Sequence, residues 1–236
     1  MYISFVGLGG AGKTTIAKGV EKKLNYYGYT NDYYFTKFIN KSDTIFKKIF
    51  WSVYLWRFFN INLFFVYYFL RKKHAKDINQ KFSLINTYTA LKSGYYLSRV
   101  KKKKVDLVIF EEDYITFIGH LILSNKNSEK FLIKTTKKTV LTSVNSLIIV
   151  FIDTKPNLSA LRYCNRENIY DSKSRLEIEK KYNLIYKGIK KSFNIVSNIK
   201  NTITIEVDGT KPPEENIEKV AEVALALLRE RENNSA

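Results

Sequence analysis

The sequence predicts a three-layer α/β fold in which helices flank a mostly parallel sheet. Short β-branched runs alternate with stretches of helical period along the chain, the order that builds a sheet covered on both faces. The 236 residues are 45% apolar, which favours one sizeable core over two small ones. No internal repeat and no flexible Gly/Ser linker divides the chain. A single domain over residues 1–230 is expected, with 231–236 a disordered tail.

Each element follows from its pattern. Residues 1–6, MYISFV, form a short apolar strand. Thr14 to about Tyr27 reads as a helix with Ile16, Ala17, Val20 and Leu24 on one face. GYTNDYYFTKFI holds a turn and then a second strand, and INQKFSLINTYTALKSGYYLSRV is another helix, ending at the basic run Lys101–Lys104. VDLVIF is a third strand, closed by Glu111, Glu112 and Asp113; SLIIVFID and TITIEVDG are two more. Residues 157–200 between those two are largely helical and charged. The last helix, PEENIEKVAEVALALLRER, opens with the Pro and Glu residues that suit a helix N-terminus.

The first strand ends in Gly7-Leu8-Gly9-Gly10-Ala11-Gly12-Lys13-Thr14. This satisfies the phosphate-loop pattern G-x-x-x-x-G-K-[ST] with a strand before it and a helix after it. Glycines let the backbone close around a phosphate chain with its N–H groups inward, and the helix start adds positive potential. Lys13 can reach the outer phosphates, and the Thr14 hydroxyl, next to Thr15, can sit on Mg²⁺. The chain is therefore expected to have a P-loop fold and to bind a nucleotide, with Gly7, Gly9, Gly10, Ala11, Gly12, Lys13, Thr14 and Thr15 as the binding stretch. Such a loop needs an acid on a neighbouring strand, at the carboxyl end where ligands of parallel sheets gather. Glu111 or Glu112 supplies it, one for the metal and one as a base for an acceptor hydroxyl. Asp106 lies at the wrong end of that strand.

ISFVGLGGAGKTT resembles the opening of thymidylate kinases and of the wider nucleoside and nucleotide kinase group. FIDTKPNLSALRYCNREN resembles that family's strand, Asp and Pro, followed by a helix whose Arg-x-x-x-Arg leads into a small helical lid, here about 157–180. The resemblance places Arg162 and Arg166 on the donor-clamping arginines. VDGTKPPEENIEKVAEVAL is similar to the family's last strand, adenine-edge loop and closing helix, which puts Gly209 and Lys211 at the cofactor. LEIEKKYNLIYKGIKK is similar to the helix before that strand. The likeness covers residues 2–30 and about 105–228 and implies ATP with Mg²⁺, a kinase activity and a nucleoside monophosphate acceptor.

Three departures fall on the acceptor half. The family carries Asp where this loop has Gly9, and a base at the third strand where either register leaves Glu112 or Asp113. Its Arg-Glu-Pro stretch is replaced by FTKFINK. A monophosphate needs arginine-type clamping, and acids would repel it. The residues thus favour a neutral hydroxyl acceptor, whether sugar or lipid-linked. The other class of reading is a nucleotide-binding, membrane-associated regulatory module without kinase activity.

Residues 49–70, IFWSVYLWRFFNINLFFVYYFL, contain 18 apolar residues and one charge, Arg57. A crossing there would put the first and third strands on opposite sides of a bilayer, although both must face one Mg²⁺. Two readings stay open for this insert, about 44–73: a buried acceptor-side helix pair or homodimer interface, or peripheral contact with acidic membrane through 44–76.

The net charge of +18 favours anionic partners. No RNA-binding or helix-turn-helix signature accompanies it, so specific nucleic-acid binding is not expected. Cys164 is the single cysteine and His74 and His120 the only histidines, which excludes an internal disulfide and a zinc cluster. The opening residues lack the regions of a signal peptide. A cytoplasmic protein is expected, at the inner face of the membrane if the insert meets lipid.

Overall fold

The computed structural model describes residues 1–34, 105–111, 115, 129–130, 133, 136–137 and 146–234. The aromatic insert, Lys101–Lys104, Glu112, Asp113, His74 and His120 lie outside the described residues.

Among the described residues five strands form one sheet: β1 (Tyr2–Gly7), β2 (Asn31–Tyr34), β3 (Leu107–Phe110), β4 (Leu147–Asp153) and β5 (Thr202–Asp208). Their spatial order is β2-β3-β1-β4-β5, and every pairing is parallel. The central strands are buried along nearly their whole length, so they read as unbroken apolar runs. β5, at one edge, alternates instead, turning Glu206 and Asp208 outward.

Helix α1 (Lys13–Tyr26) follows β1 directly. α2 (Pro156–Arg166) and α3 (Ser172–Ser197) connect β4 to β5, and α4 (Pro213–Asn233) closes the chain. Their starts obey helix-end chemistry. Pro156 and Pro213 take first helical positions, where a missing N–H costs nothing. Asp171 caps α3 by accepting from the Ser174 amide at 2.7 Å. Glu214 and Glu215 meet the positive end of α4.

The chain leaves β1 toward the β2 edge and β4 toward the β5 edge, an order that with the right-handed crossovers general to such sheets puts α1 on one face and α2–α3 on the opposite face. On the α3 face Phe151 packs on Phe193, ring centroids 5.3 Å apart. On the α1 face, α1 packs on α4; Ile16, Ala17, Val20 and Leu24 are buried on the first helix and Val220, Ala221, Ala224 and Leu228 on the second. The three layers match the fold read from the sequence. Helix α1 begins one residue earlier than expected, at Lys13. The end of the chain needs a correction: α4 runs to Asn233, so 231–233 are helical and not part of a disordered tail. The buried stripe through Leu228 anchors the last turns, and Arg231 sits near the negative helix end.

Close α1–α4 packing rests on Gly19, where a Cβ would meet the Ile217 side chain, its Cγ1 at 2.6 Å. Gly19→Ala should gain about 1 kcal/mol of helix propensity but lose about 1–3 kcal/mol to overpacking. Urea unfolding should show net destabilisation, and Ile217→Ala in the same chain should remove most of the overpacking part. Additive effects of the two substitutions would contradict this contact.

Candidate functional site

The P-loop lies between the central strand β1 and α1. Strand order reverses about β1, which sends connections to opposite faces and opens a crevice at the carboxyl ends of the strands. Gly10 and Gly12 adopt positive φ, 81° and 98°, conformations that suit glycine. Gly12 is the N-cap of α1 and gives no side-chain cap, so the first amides of the helix serve whatever lies in the loop. A turn from the Ala11 amide to the Leu8 carbonyl, 3.2 Å, sets the loop's curvature.

Lys13 is 5% exposed, and its ammonium donates to the carbonyls of Gly7 at 3.0 Å and Leu8 at 2.8 Å. It is thereby held at the outer arm of the loop. The Thr14 hydroxyl donates to Oε1 of Glu111, 97 residues further along the chain and also 5% exposed. Parallel pairing of β1 with β3, Ser4 beside Phe110, delivers that carboxylate to the loop. The donor set suits Mg²⁺: two hard oxygens from one hydroxyl and one carboxylate, with room in the coordination shell for waters and phosphate oxygens. Among the described residues no group of three or more His, Cys, Asp or Glu could form a dedicated metal cage. Asp106 lies away from this corner, accepting from the Thr30 amide and hydroxyl at 2.8 and 2.7 Å.

The remaining site residues from the sequence divide into those at the loop and those around it. Thr15 is exposed on α1. Arg162 packs on Gly10, and its Nη1 donates to the Gly209 carbonyl at 3.0 Å. It thus ties α2, the P-loop and the turn after β5 together. Arg166 is 61% exposed; it pairs with Glu167 at 2.9 Å and lies over the Tyr163 ring at 5.4 Å. Gly209 is buried, and a Cβ there would overlap the Thr154 hydroxyl. Lys211 is exposed and paired with Glu215 at 3.0 Å.

Two tyrosines that sequence reasoning did not single out complete the outer edge of the loop. The Tyr182 hydroxyl stands 2.5 Å from the position a Cβ would take at Gly9, and Tyr163 lies 3.7 Å from the same point. The two rings are 5.9 Å apart. Nothing in the local sequence links Tyr182 to residue 9; only the docking of α3 beside α2 does.

A second feature also went unread. An open cleft of about 960 Å³ adjoins the turn after β5, lined among others by Lys155, Leu158, Val207, Thr210 and Lys211. In its wall Asp153 accepts from Tyr186 at 2.8 Å and Lys190 at 3.2 Å. The Tyr186 hydroxyl, beside Asp153, holds the Lys190 ammonium above the usual lysine range. Partial desolvation of this half-exposed carboxyl, helped by the hydrogen bond and charge of Asp153, raises Glu206 above the usual glutamate range. Hydrogen bonds from the Thr210 hydroxyl and amide keep the Asp208 carboxyl below the usual aspartate range.

No protein-family model and no curated protein sequence matches the chain. Its structure is similar to solved structures of deoxyadenosine kinase from M. mycoides. With products dCMP and a flexible dCDP bound, that protein is 16% identical, at a TM-score of 0.54 over 96% of this chain and 100% of that one. With dCTP bound the identity is 17% and the TM-score 0.51 over the same shares. With dATP bound they are 15% and 0.56, over 95% and 99%. These likenesses show that the chain shares the fold of that kinase, without singling out the thymidylate kinases.

Gly9→Ala should cost about 1–3 kcal/mol through overpacking against the Tyr182 hydroxyl. In a Tyr182→Phe background the nearest ring carbon is 3.5 Å away, ordinary contact, so most of that cost should vanish in a urea double-mutant cycle.

The raised Glu206 pKa sets a sign for pH. Its contribution to folding is complete below the usual glutamate range and fades as pH rises through its higher folded value. Glu206→Gln should flatten the stability-versus-pH curve just above the usual glutamate pKa; an unchanged slope by thermal melting would contradict this.

Proposed function

We propose that the chain is a phosphotransferase of nucleoside kinase type, moving the terminal phosphoryl group of ATP to a hydroxyl of a nucleoside. The single observation that carries this reading is the Thr14 hydroxyl on the Glu111 carboxylate beside a complete phosphate loop. A plain glycine turn has no need of a buried acid brought from a strand 97 residues away.

The roles follow from position. Loop amides from Gly9 to Thr14 cradle the phosphate chain, and Lys13 swings from the Gly7 and Leu8 carbonyls onto the outer phosphates. Thr14 and Glu111 would hold Mg²⁺, which would offset the charge on the phosphate oxygens. Arg162 and Arg166 add positive charge from α2, with 157–180 acting as the lid. Gly209 and Lys211 border the base. The acceptor oxygen attacks the terminal phosphorus as the bond to the bridging oxygen breaks, and its proton passes to Glu112, since Glu111 is engaged with Thr14. Positioning and charge stabilisation suffice for such a transfer.

The nucleoside acceptor joins two supports. The acids after β3 suit a neutral hydroxyl better than a phosphate, and the similar solved structures are of a deoxyadenosine kinase. Among the described residues no helix is long and apolar enough to cross a membrane.

The test uses the purified 236-residue chain, labelled ATP and Mg²⁺ against deoxynucleosides, nucleoside monophosphates, sugars and polyprenols. Transfer to a deoxynucleoside is expected, reduced by about 10²-fold or more in Lys13→Ala, the scale for losing a charge-stabilising group. Glu111→Gln should raise the Mg²⁺ requirement. Transfer to monophosphates or polyprenols alone would reassign the acceptor, and nucleotide binding without transfer would favour the regulatory module.

A further inference from the structure

We propose that Tyr182 binds substrate: its phenol donates a hydrogen bond to the terminal phosphate of the bound triphosphate. The inference rests on the nucleotide-binding reading above and goes beyond it, because α3 is not part of the phosphate loop.

Three observations converge. First, the hydroxyl stands 2.5 Å from where a Cβ would project at Gly9, so it occupies the place of a side chain on the loop itself. Second, Lys13 marks which end of the phosphate chain this is. Its ammonium is held by the carbonyls of Gly7 and Leu8, and a lysine of this loop serves the outer phosphates. Gly9 is the next residue, so a donor there is placed for the last phosphate and not for the inner ones near Gly12 and Thr14. Third, the phenol is fixed in place. Tyr182 is 8% exposed, its ring packs against Tyr163, and Arg166 covers Tyr163 from the solvent side. A donor held rigidly at the phosphate loses little freedom on binding. Arg166, Tyr163, Tyr182 and Gly9 thus form one continuous stack from solvent to loop.

A hydrogen bond to the terminal phosphate separates triphosphate from diphosphate. Isothermal titration with Mg²⁺ and either the β,γ-imido analogue of ATP or ADP reads that difference directly. Tyr182→Phe should weaken the triphosphate analogue about tenfold, or ~1.4 kcal/mol, and leave ADP within about twofold. Tyr163→Phe, which keeps the ring stack, should change neither. Gly9→Ala forces the same hydroxyl aside and should also lower the triphosphate preference, providing a second reading should Tyr182→Phe fold poorly. Equal weakening of both nucleotides, or of neither, overturns the assignment. Lys13→Ala distinguishes the two levels: if it binds both nucleotides as tightly as the unmodified chain does, the phosphate-loop reading itself fails.

Discussion

The Thr14–Glu111 hydrogen bond is the constraint around which the rest of the molecule is arranged. Neither residue can find the other without β1 pairing directly with β3, because only that adjacency brings the end of one strand beside the end of the other. The adjacency in turn forces β2 outward, so the first crossover must skip a strand position. A chain that folded β2 next to β1 would keep the same local patterns and lose the contact. Burial raises the stakes, since an isolated carboxylate away from water is costly and the hydroxyl offsets part of that cost.

The second constraint is closeness. Gly10 lies under the Ser159 carbonyl, 2.6 Å from where a Cβ would be, and Gly209 lies against Thr154. These contacts let α2 and the turn after β5 come down onto the loop, and Arg162 bridges the gap by reaching the Gly209 carbonyl. Arg166, one turn further along α2, stays at the surface over Tyr163. Two arginines with the same helical spacing thus have different reach. One already braces the loop, and the other stays exposed, paired with Glu167.

The parts that were legible in the sequence are those whose chemistry is local. β1, β3 and β4 announce themselves because a central parallel strand is apolar on both faces. The loop is legible because consecutive glycines and one lysine perform its geometry within eight residues. Glu111 could be reached by one further step, the rule that ligands gather at strand carboxyl ends. Tyr182 was not legible, because a tyrosine on a helical face reads as core and its meeting with Gly9 depends on how α3 docks against α2. The Asp153–Tyr186–Lys190–Glu206 cluster was hidden for the same reason, being assembled from β4, α3 and β5. The length of α4 was underestimated because ENN lacks apolar residues, whereas the helix is anchored by its buried stripe further back.

The glycines of the site therefore carry more than backbone freedom. At Gly9 the neighbour is the Tyr182 hydroxyl, at Gly10 the backbone of α2, at Gly209 the Thr154 side chain. Each marks a place where a second element presses against the corner, and together they hold it from three directions. A loop supported in this way is braced by neighbouring elements on several sides. In the proposed nucleotide-binding role, a loop braced in this way would spend little of a triphosphate's binding free energy on its own ordering, leaving more for positioning the reacting phosphate.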